Sequence, residues 1–291
     1  MPVPQFLIGV DGGGTGTRVR LADAQGSELA QGRAGPSALA LGISNAWASV
    51  NEAVDDAFGH AGLQRPHRSQ LALGLGLAGV NVSVWAEKFL AANPGYGTLA
   101  LETDAYTTLM GAHRGWPGVI VALGTGSVGL ALWPDGQRRE VGGWGFQTGD
   151  EASGGWLGMR AINHLEQVVD GRQHGGTLAQ ALMSTCGASR DDLFSWVNRA
   201  NQTRYAQLAP LVLLHAGHDK TALQFLVEAG EQVERMALAL DPGQQLPMAL
   251  CGGLSGALRP YLPPALQARA QAPAFDSSWG ALQLIQAAVK P

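Results

Sequence analysis

Asp11-Gly12-Gly13-Gly14-Thr15-Gly16-Thr17 sets a carboxylate beside three consecutive glycines and two hydroxyls. Glycines let backbone N–H groups close on one ligand atom, and hydroxyls beside them add donors, so the stretch reads as an anion cradle. A carboxylate at its base repels phosphate but suits a hydrated Mg²⁺ that bridges to phosphate. That gives Asp11 a metal role and Gly12, Gly13, Gly14 and Thr15 a phosphate role. The alternative is a glycine-rich hairpin with a charged edge, although two-residue loops suffice for simple chain reversal.

Gly124-Thr125-Gly126-Ser127 repeats the arrangement. Each turn follows an apolar strand and leads to a second strand closed by a glycine, Gly26 or Gly136, at the same separation. Asp11 falls opposite Val121 in this alignment, so only the first turn carries the acid. The repeat predicts two related domains that each offer a hydroxyl-bearing glycine turn to one ligand.

Asp104 directly follows the predicted strand Thr98 to Glu102, which puts it at a sheet's carboxyl edge. A carboxylate there could take the proton of a hydroxyl attacking a γ-phosphate; N-capping a helix from Ala105 is its other reading. The glycine-rich stretch from Gly142 to Trp156 combines Asp150 and Glu151 with Trp144 and Trp156. Carboxylates bind hydroxyls and ring faces pack on C–H groups, so this loop suits a small polyol. Asp150 also suits capping a helix that begins near Ala152. Gly252-Gly253-Leu254-Ser255-Gly256 is a further glycine turn at the end of a predicted strand, Pro247 to Cys251.

Positioning these groups requires strands alternating with helices. Strands are expected at Phe6 to Val10, Arg18 to Ala22, Glu28 to Arg33 and Leu71 to Leu77. Helices are expected at Asn45 to Phe58, with Ser44 as N-cap, and at Val82 to Ala92, Ala152 to Asp170, Thr177 to Cys186, Arg190 to Ala200, Ala222 to Leu240 and Ser278 to Val289. An antiparallel meander extended by parallel strands makes a mixed sheet, hence an α/β fold.

At 291 residues the chain is long for one core, which favours two domains. Only 14% of residues are charged and the net charge is -4, so no basic surface argues for nucleic acid. No apolar tract is long enough to span a bilayer and no signal-like start is present, so a cytoplasmic protein with no membrane partner is expected. Cys186 and Cys251 lack metal-ligand spacing and read as small buried hydrophobes. Gly74-Gly76-Gly79 fits the dinucleotide pattern GxGxxG after a strand, a weak signal; no GxxxxGK[ST] occurs. His215 and His218 read as solvent-facing.

The five motifs in this order, with Thr103-Asp104-Ala105 at the centre and Gly142-Gly143-Trp144-Gly145 leading to Gly149-Asp150-Glu151-Ala152-Ser153-Gly154, resemble the N-acetylglucosamine kinase and BadF/BadG ATPase family. That family belongs to the actin-like, hexokinase-like ATPases, and the resemblance covers nearly the whole chain. It implies two ribonuclease H-like domains, with mixed five-stranded sheets flanked by helices, around an inter-domain cleft. On this reading residues 1–115 and 116–291 are ATPase-like domains, with the last helix available to pack back on the first.

The resemblance implies ATP and Mg²⁺ and phosphorylation of an amino sugar, N-acetylglucosamine or glucosamine, at its 6-hydroxyl. Asp11 to Thr15 match the first phosphate loop, Gly124 to Ser127 the second, including Thr125, Gly126 and Ser127, and Asp104 the catalytic base. Trp144, Gly145 and Asp150 match the sugar-binding loop, and Gly252 and Gly253 the adenosine-side turn. The family commonly carries an asparagine near the sugar after the third strand, whereas here Ser37 is the only polar side chain in Gly35-Pro36-Ser37-Ala38-Leu39. A homodimer is left open. A second class of reading is an ATP-driven activator of an electron-transfer partner, which needs cysteines for an iron–sulfur cluster. A third is a nucleotide-binding regulator, which should lack a base at position 104.

Overall fold

Leu71-Ala72-Leu73-Gly74-Leu75-Gly76-Leu77 sorts its side chains by the two-residue period of a strand, with leucines on one face and Ala, Gly and Gly on the other. That division organises the first of two units in the computed structural model, which describes residues 4–290. Unit 1 is the chain up to Gly118 together with the chain from Ala272; unit 2 is Val119–Gln271.

The sheet of unit 1 comprises β1 (Phe6–Gly12), β2 (Thr17–Asp23), β3 (Glu28–Ala34), β4 (Leu71–Leu77) and β5 (Thr98–Thr103), in the order β3-β2-β1-β4-β5. The first three form an antiparallel meander, and β4 and β5 run parallel to β1. On the leucine face, Ile8, Val10, Val19, Leu21 and the four leucines of β4 pack against Trp47, Val50, Val54 and Phe58 of α1 (Ile43–His60). Burying about ten such side chains, at roughly 1.5–3 kcal/mol each, is the main force holding this layer. Ser44 does not cap α1 as expected: the helix begins two residues earlier, at Ile43, with Gly42 at φ 106° in the N-cap position. A chain entering the helix at positive φ needs glycine there. Next in the chain come α2 (Ser83–Ala91) and α3 (Asp104–Ala112).

Unit 2 repeats the plan with β6 (Gly118–Leu123), β7 (Ser127–Leu132), β8 (Arg138–Gly142), β9 (Met248–Cys251) and β10 (Ala270–Gln271), in the order β10-β9-β6-β7-β8. Read from the meander inwards, this is the strand order of unit 1, with β9 parallel to β6 and β10 parallel to β9. The third and fifth strands, β8 and β10, were not anticipated individually; a two-residue strand has no periodicity to read. Helices α4 (Gly154–Val169), α5 (Thr177–Cys186), α6 (Arg190–Asn198), α7 (Gln202–Ala206), α8 (Ala209–His215), α9 (Lys220–Leu240), α10 (Ser255–Leu258) and α11 (Pro264–Arg269) complete it. Val119, Val121, Leu123, Met248 and Leu250 bury against Leu157, Leu165, Leu226 and Val233 of α4 and α9.

Helix α12 (Ser277–Val289) returns to unit 1 and covers the small face of its sheet. A Cβ on Gly74 would lie 1.9 Å from the Ala281 carbonyl oxygen, and one on Gly9 2.2 Å from that of Ser278. Gly74 and Gly76 therefore belong to a strand packed under helices, and the dinucleotide reading of Gly74-Gly76-Gly79 is set aside. No helix among the described residues is long and apolar enough to cross a membrane.

Candidate functional site

In unit 1 the chemistry-bearing groups gather at the carboxyl ends of the parallel strands. Register places Gly12, Leu77 and Thr103 in one row, so the turn after β1 and the start of α3 share an edge. One row back, Arg18, Asp11, Gly76 and Glu102 lie side by side on the face that α12 covers. Because β4 has no side chain at Gly76, Thr107 of α3 reaches the sheet: a Cβ on Gly76 would lie 1.9 Å from Thr107 Oγ1.

Asp11 is engaged from two sides. Arg18 donates to its Oδ2 through Nε at 3.2 Å and Nη2 at 2.9 Å, and the Ser277 hydroxyl donates to the same carboxylate. Burial nonetheless pushes the Asp11 carboxyl above its ordinary range, since desolvation outweighs Arg18 and Ser277. Ser277 Oγ is 2.8 Å from Thr107 Oγ1, which is 3.1 Å from the Asp104 carbonyl oxygen. Each hydroxyl has one proton. With Ser277 donating to Asp11, Thr107 donates either to Ser277 or to the Asp104 carbonyl. Buried hydroxyls thus connect the acid of the first turn to the helix start that carries Asp104.

Asp104 is the first residue of α3, and Thr103 is its N-cap, accepting from Tyr106 N at 3.1 Å. The capping alternative for Asp104 therefore passes to Thr103. Asp104 Oδ1 accepts from Ala105 N at 2.9 Å. Beneath the site, Asp276 caps α12 by accepting from Trp279 N and pairs with Arg20 at 2.8 Å. Hydrogen bonds from Arg20, Trp279 N and Ser278, with the Arg20 charge, outweigh burial and hold its carboxyl down at about 2.

The first glycine turn divides by role. Gly12 is packed, since a Cβ there would lie 2.0 Å from Ser37 Oγ, whereas Cβ positions at Gly13 and Gly14 have nothing within 4 Å. Gly14 and Thr15 form the exposed tip. Ser37 is placed differently from expectation. It is fully buried, and its Oγ lies 2.7 Å from Thr17 Oγ1, which also meets the Gly35 carbonyl at 2.7 Å. In this conformation Ser37 props the turn and offers no hydroxyl to a sugar in solvent.

In unit 2 three turns meet at one edge. Gly154 N donates to Gly124 O at 2.8 Å, Gly155 N to Thr125 O at 3.1 Å and Leu254 N to Leu123 O at 3.0 Å. A Cβ on Gly252, which has φ 85°, would lie 2.3 Å from the Leu123 carbonyl oxygen, while Gly253 is open. Ser127 is buried and its hydroxyl donates to Glu151 O at 2.7 Å; Thr125 and Gly126 are half-buried at the turn.

Asp150, 5% exposed and at φ 57°, accepts from Gln202 Nε2 at 2.6 Å and from the Ser127 and Gly145 backbone N–H groups. Burial raises its carboxyl above the ordinary range despite those donors. Asp150 does not cap α4. Ser153 does, accepting from Trp156 N, and the helix starts at Gly154 rather than near Ala152. Trp144 stands 84% exposed beside Gly145, at φ 93°. Trp156 instead packs into the core with the Arg160 guanidinium 4.3 Å above its ring, so only one of the two tryptophans is available as an open wall.

Sequence reasoning missed Arg18, Thr107, Ser277, Asp276 and Gln202. Asp276-Ser277-Ser278-Trp279 carries a capping signal, but the partners of the others are set by tertiary contacts. No group of three or more His, Cys, Asp or Glu able to hold a metal occurs among the described residues. A magnesium held by one carboxylate, phosphates and water needs no such cluster, and the hard oxygens of Asp11 fit that mode.

The profile of the BadF/BadG/BcrA/BcrD ATPase family matches residues 8–257. The chain is 30% identical over 279 residues to glucosamine kinase GspK of Vibrio cholerae, spanning 95% of this chain and 94% of that protein. It is 27% identical over 274 residues to N-acetyl-D-glucosamine kinase of Dictyostelium discoideum, spanning 86% and 85%. A crystal structure from Chromobacterium violaceum, described as a candidate N-acetylglucosamine kinase, superposes with a TM-score of 0.96 at 49% identity, over 98% of this chain and all of that one.

Proposed function

The chain belongs to the BadF/BadG/BcrA/BcrD ATPase family, and from that premise we propose that it is an ATP-dependent amino-sugar kinase acting on the 6-hydroxyl of N-acetylglucosamine. The observation that carries the reading is Asp104, a carboxylate at the carboxyl end of β5 on the edge shared with the Asp11 turn. In the proposed reaction the sugar hydroxyl oxygen attacks the γ-phosphorus, the bond to the β-γ bridging oxygen breaks, and ADP leaves. Asp104 accepts the hydroxyl proton.

The open backbone of Gly13, Gly14 and Thr15, and that of Thr125 and Gly126, serves the phosphates; Gly252 and Gly253 serve the adenosine side. Asp11 would hold Mg²⁺, which when bound offsets phosphate charge. Asp150, through Gln202 and Ser127 N, keeps the second turn in shape and presents the loop bearing Trp144 and Gly145 to the sugar. Glucosamine is the alternative substrate, supported by the likeness to GspK. Cys186 and Cys251 are buried thiols pushed up to about 11 and about 12 by burial, the opposite of what cluster ligation requires, which counts against an activator role.

A coupled ADP-release assay across glucose, glucosamine, N-acetylglucosamine and N-acetylmannosamine tests this. The highest kcat/KM is expected with N-acetylglucosamine. A preference for glucosamine selects the alternative, and ATP hydrolysis indifferent to every sugar overturns the kinase reading.

A further inference from the structure

Between α4 and α9 of unit 2 lies an open pocket of about 310 Å³ that the phosphoryl chemistry does not use. Its walls come from single faces of the two helices. Met159, Asn163 and Gln167 recur at i, i+4, i+8 along α4 beside Arg160 and His164, and Thr221, Gln224, Phe225 and Glu228 fall at i, i+3, i+4 and i+7 along α9, with Gln173 closing one end. Two packed helices ordinarily fill such a seam with apolar side chains; this one carries four amides, an ion pair and a histidine.

His164 is 4% exposed, its Nδ1 lies 2.9 Å from Gln173 Oε1, and its Nε2 has no protein partner. Arg160 pairs with Glu228 through Nη2, while its buried Nε is also without a partner. Leaving such groups unsatisfied is unfavourable, so a ligand that meets them is favoured. Gln224 Nε2 donates to Glu228 Oε1 at 2.8 Å, which fixes that carboxylate as a further acceptor surface.

The charges decide the ligand's class. Arg160 is balanced by Glu228, and the buried Asp219 carboxylate faces His164 from the start of α9. No net positive charge remains to draw a phosphate. Amides, an arginine–glutamate pair and a histidine alternate donors with acceptors, while Phe225 and the rim of Met159 offer apolar surface. We infer that this pocket is a second binding site for a neutral monosaccharide, separate from the phosphoryl-transfer residues. Its volume is at the lower end for small-molecule sites and admits one sugar ring. The first turn of α4 is bonded to Gly124 and Thr125, so an occupant that clamps α4 to α9 braces the helix supporting the second glycine turn.

The test is calorimetric titration of the intact protein, without nucleotide, using N-acetylglucosamine, glucosamine and glucose as separate probes. Asn163→Leu and Gln167→Leu remove amides from the rim without touching the core, so folding is retained. At least one of the two uncharged probes, N-acetylglucosamine and glucose, is expected to give two binding events per chain in the wild type and one in the double variant, with kcat unchanged. A single event in both proteins overturns the site, whatever sugar the kinase reaction takes. So does a crystal soaked in the best-binding probe whose pocket holds only water, or a dimer through α4 and α9 that the double variant splits into monomers.

Discussion

Asp104 and Ser277 divide the labour of one small region, and their substitution separates two kinds of loss. Asp104→Asn removes the proposed proton acceptor while keeping size and helix position. Turnover is expected to fall roughly 10²-fold or more, with the KM for ATP and the melting temperature little changed. Ser277→Ala removes a donor from the buried Asp11 carboxylate. A hydrogen bond to a charged group contributes about 1.5–3 kcal/mol, so titration with Mn²⁺ followed by electron paramagnetic resonance should show metal binding weakened by about tenfold or more. The positions of Asp11, Asp104 and the glycine turns at strand ends were readable because they are set locally: a glycine run after an apolar strand marks a turn, and an acid directly after a strand is placed by the strand. Ser277 was not readable, because its partners Asp11 and Thr107 are remote in the chain and chosen by the seating of α12. Ser37 misled for the complementary reason. A polar residue in the right loop carries no sign of which way it faces, and here it faces inward to Thr17.

At the level of elements, the layer formed by α12 on β1 and β4 tests the packing account. Gly74→Val places a Cβ 1.9 Å from the Ala281 carbonyl oxygen, and overpacking of this kind costs about 1–3 kcal/mol or more. A melting temperature lower by several degrees is expected, checked by scanning calorimetry. Gly13→Ala is the contrast: with nothing within 4 Å of its Cβ, it should leave melting unchanged and instead raise the KM for ATP. The cap of α12 brings a pH dependence. Asp276 titrates at about 2 in the folded chain and near 3.9 when unfolded, so the unfolded state binds the proton first as pH falls. The stability contributed by this pair is present above about pH 4 and lost on acidification towards pH 2. Asp276→Asn should flatten that part of the acid-unfolding curve, with the partial solvent exposure of the Asp276 carboxylate keeping the effect modest. Strands β1 to β5 were legible because alternation and all-buried runs differ from helix periods. The short β10 and the exact starts of α4 and α12 were not, since caps at Ser153 and Asp276 compete with nearby residues of equal propensity.

For the whole molecule, the repeated strand order is the main result, because it was anticipated only from one pair of hairpins. The second unit is continuous in sequence, Val119–Gln271, while the first is completed by residues from Ala272 onward. A fragment of residues 119–271 is therefore expected to melt cooperatively on its own by circular dichroism. A fragment ending at residue 118 should not, since it leaves the small face of its sheet uncovered and Asp11 without Ser277. The same interruption sets an order of events during synthesis. The acid turn and Asp104 leave the ribosome early, yet α12 follows only after the whole of unit 2, a delay of about ten to thirty seconds at ordinary elongation rates. Through that interval the nascent chain holds the proposed base and metal carboxylate without the Ser277 hydroxyl and the helix that cover them, so the proposed phosphoryl transfer is expected only once α12 has emerged and docked.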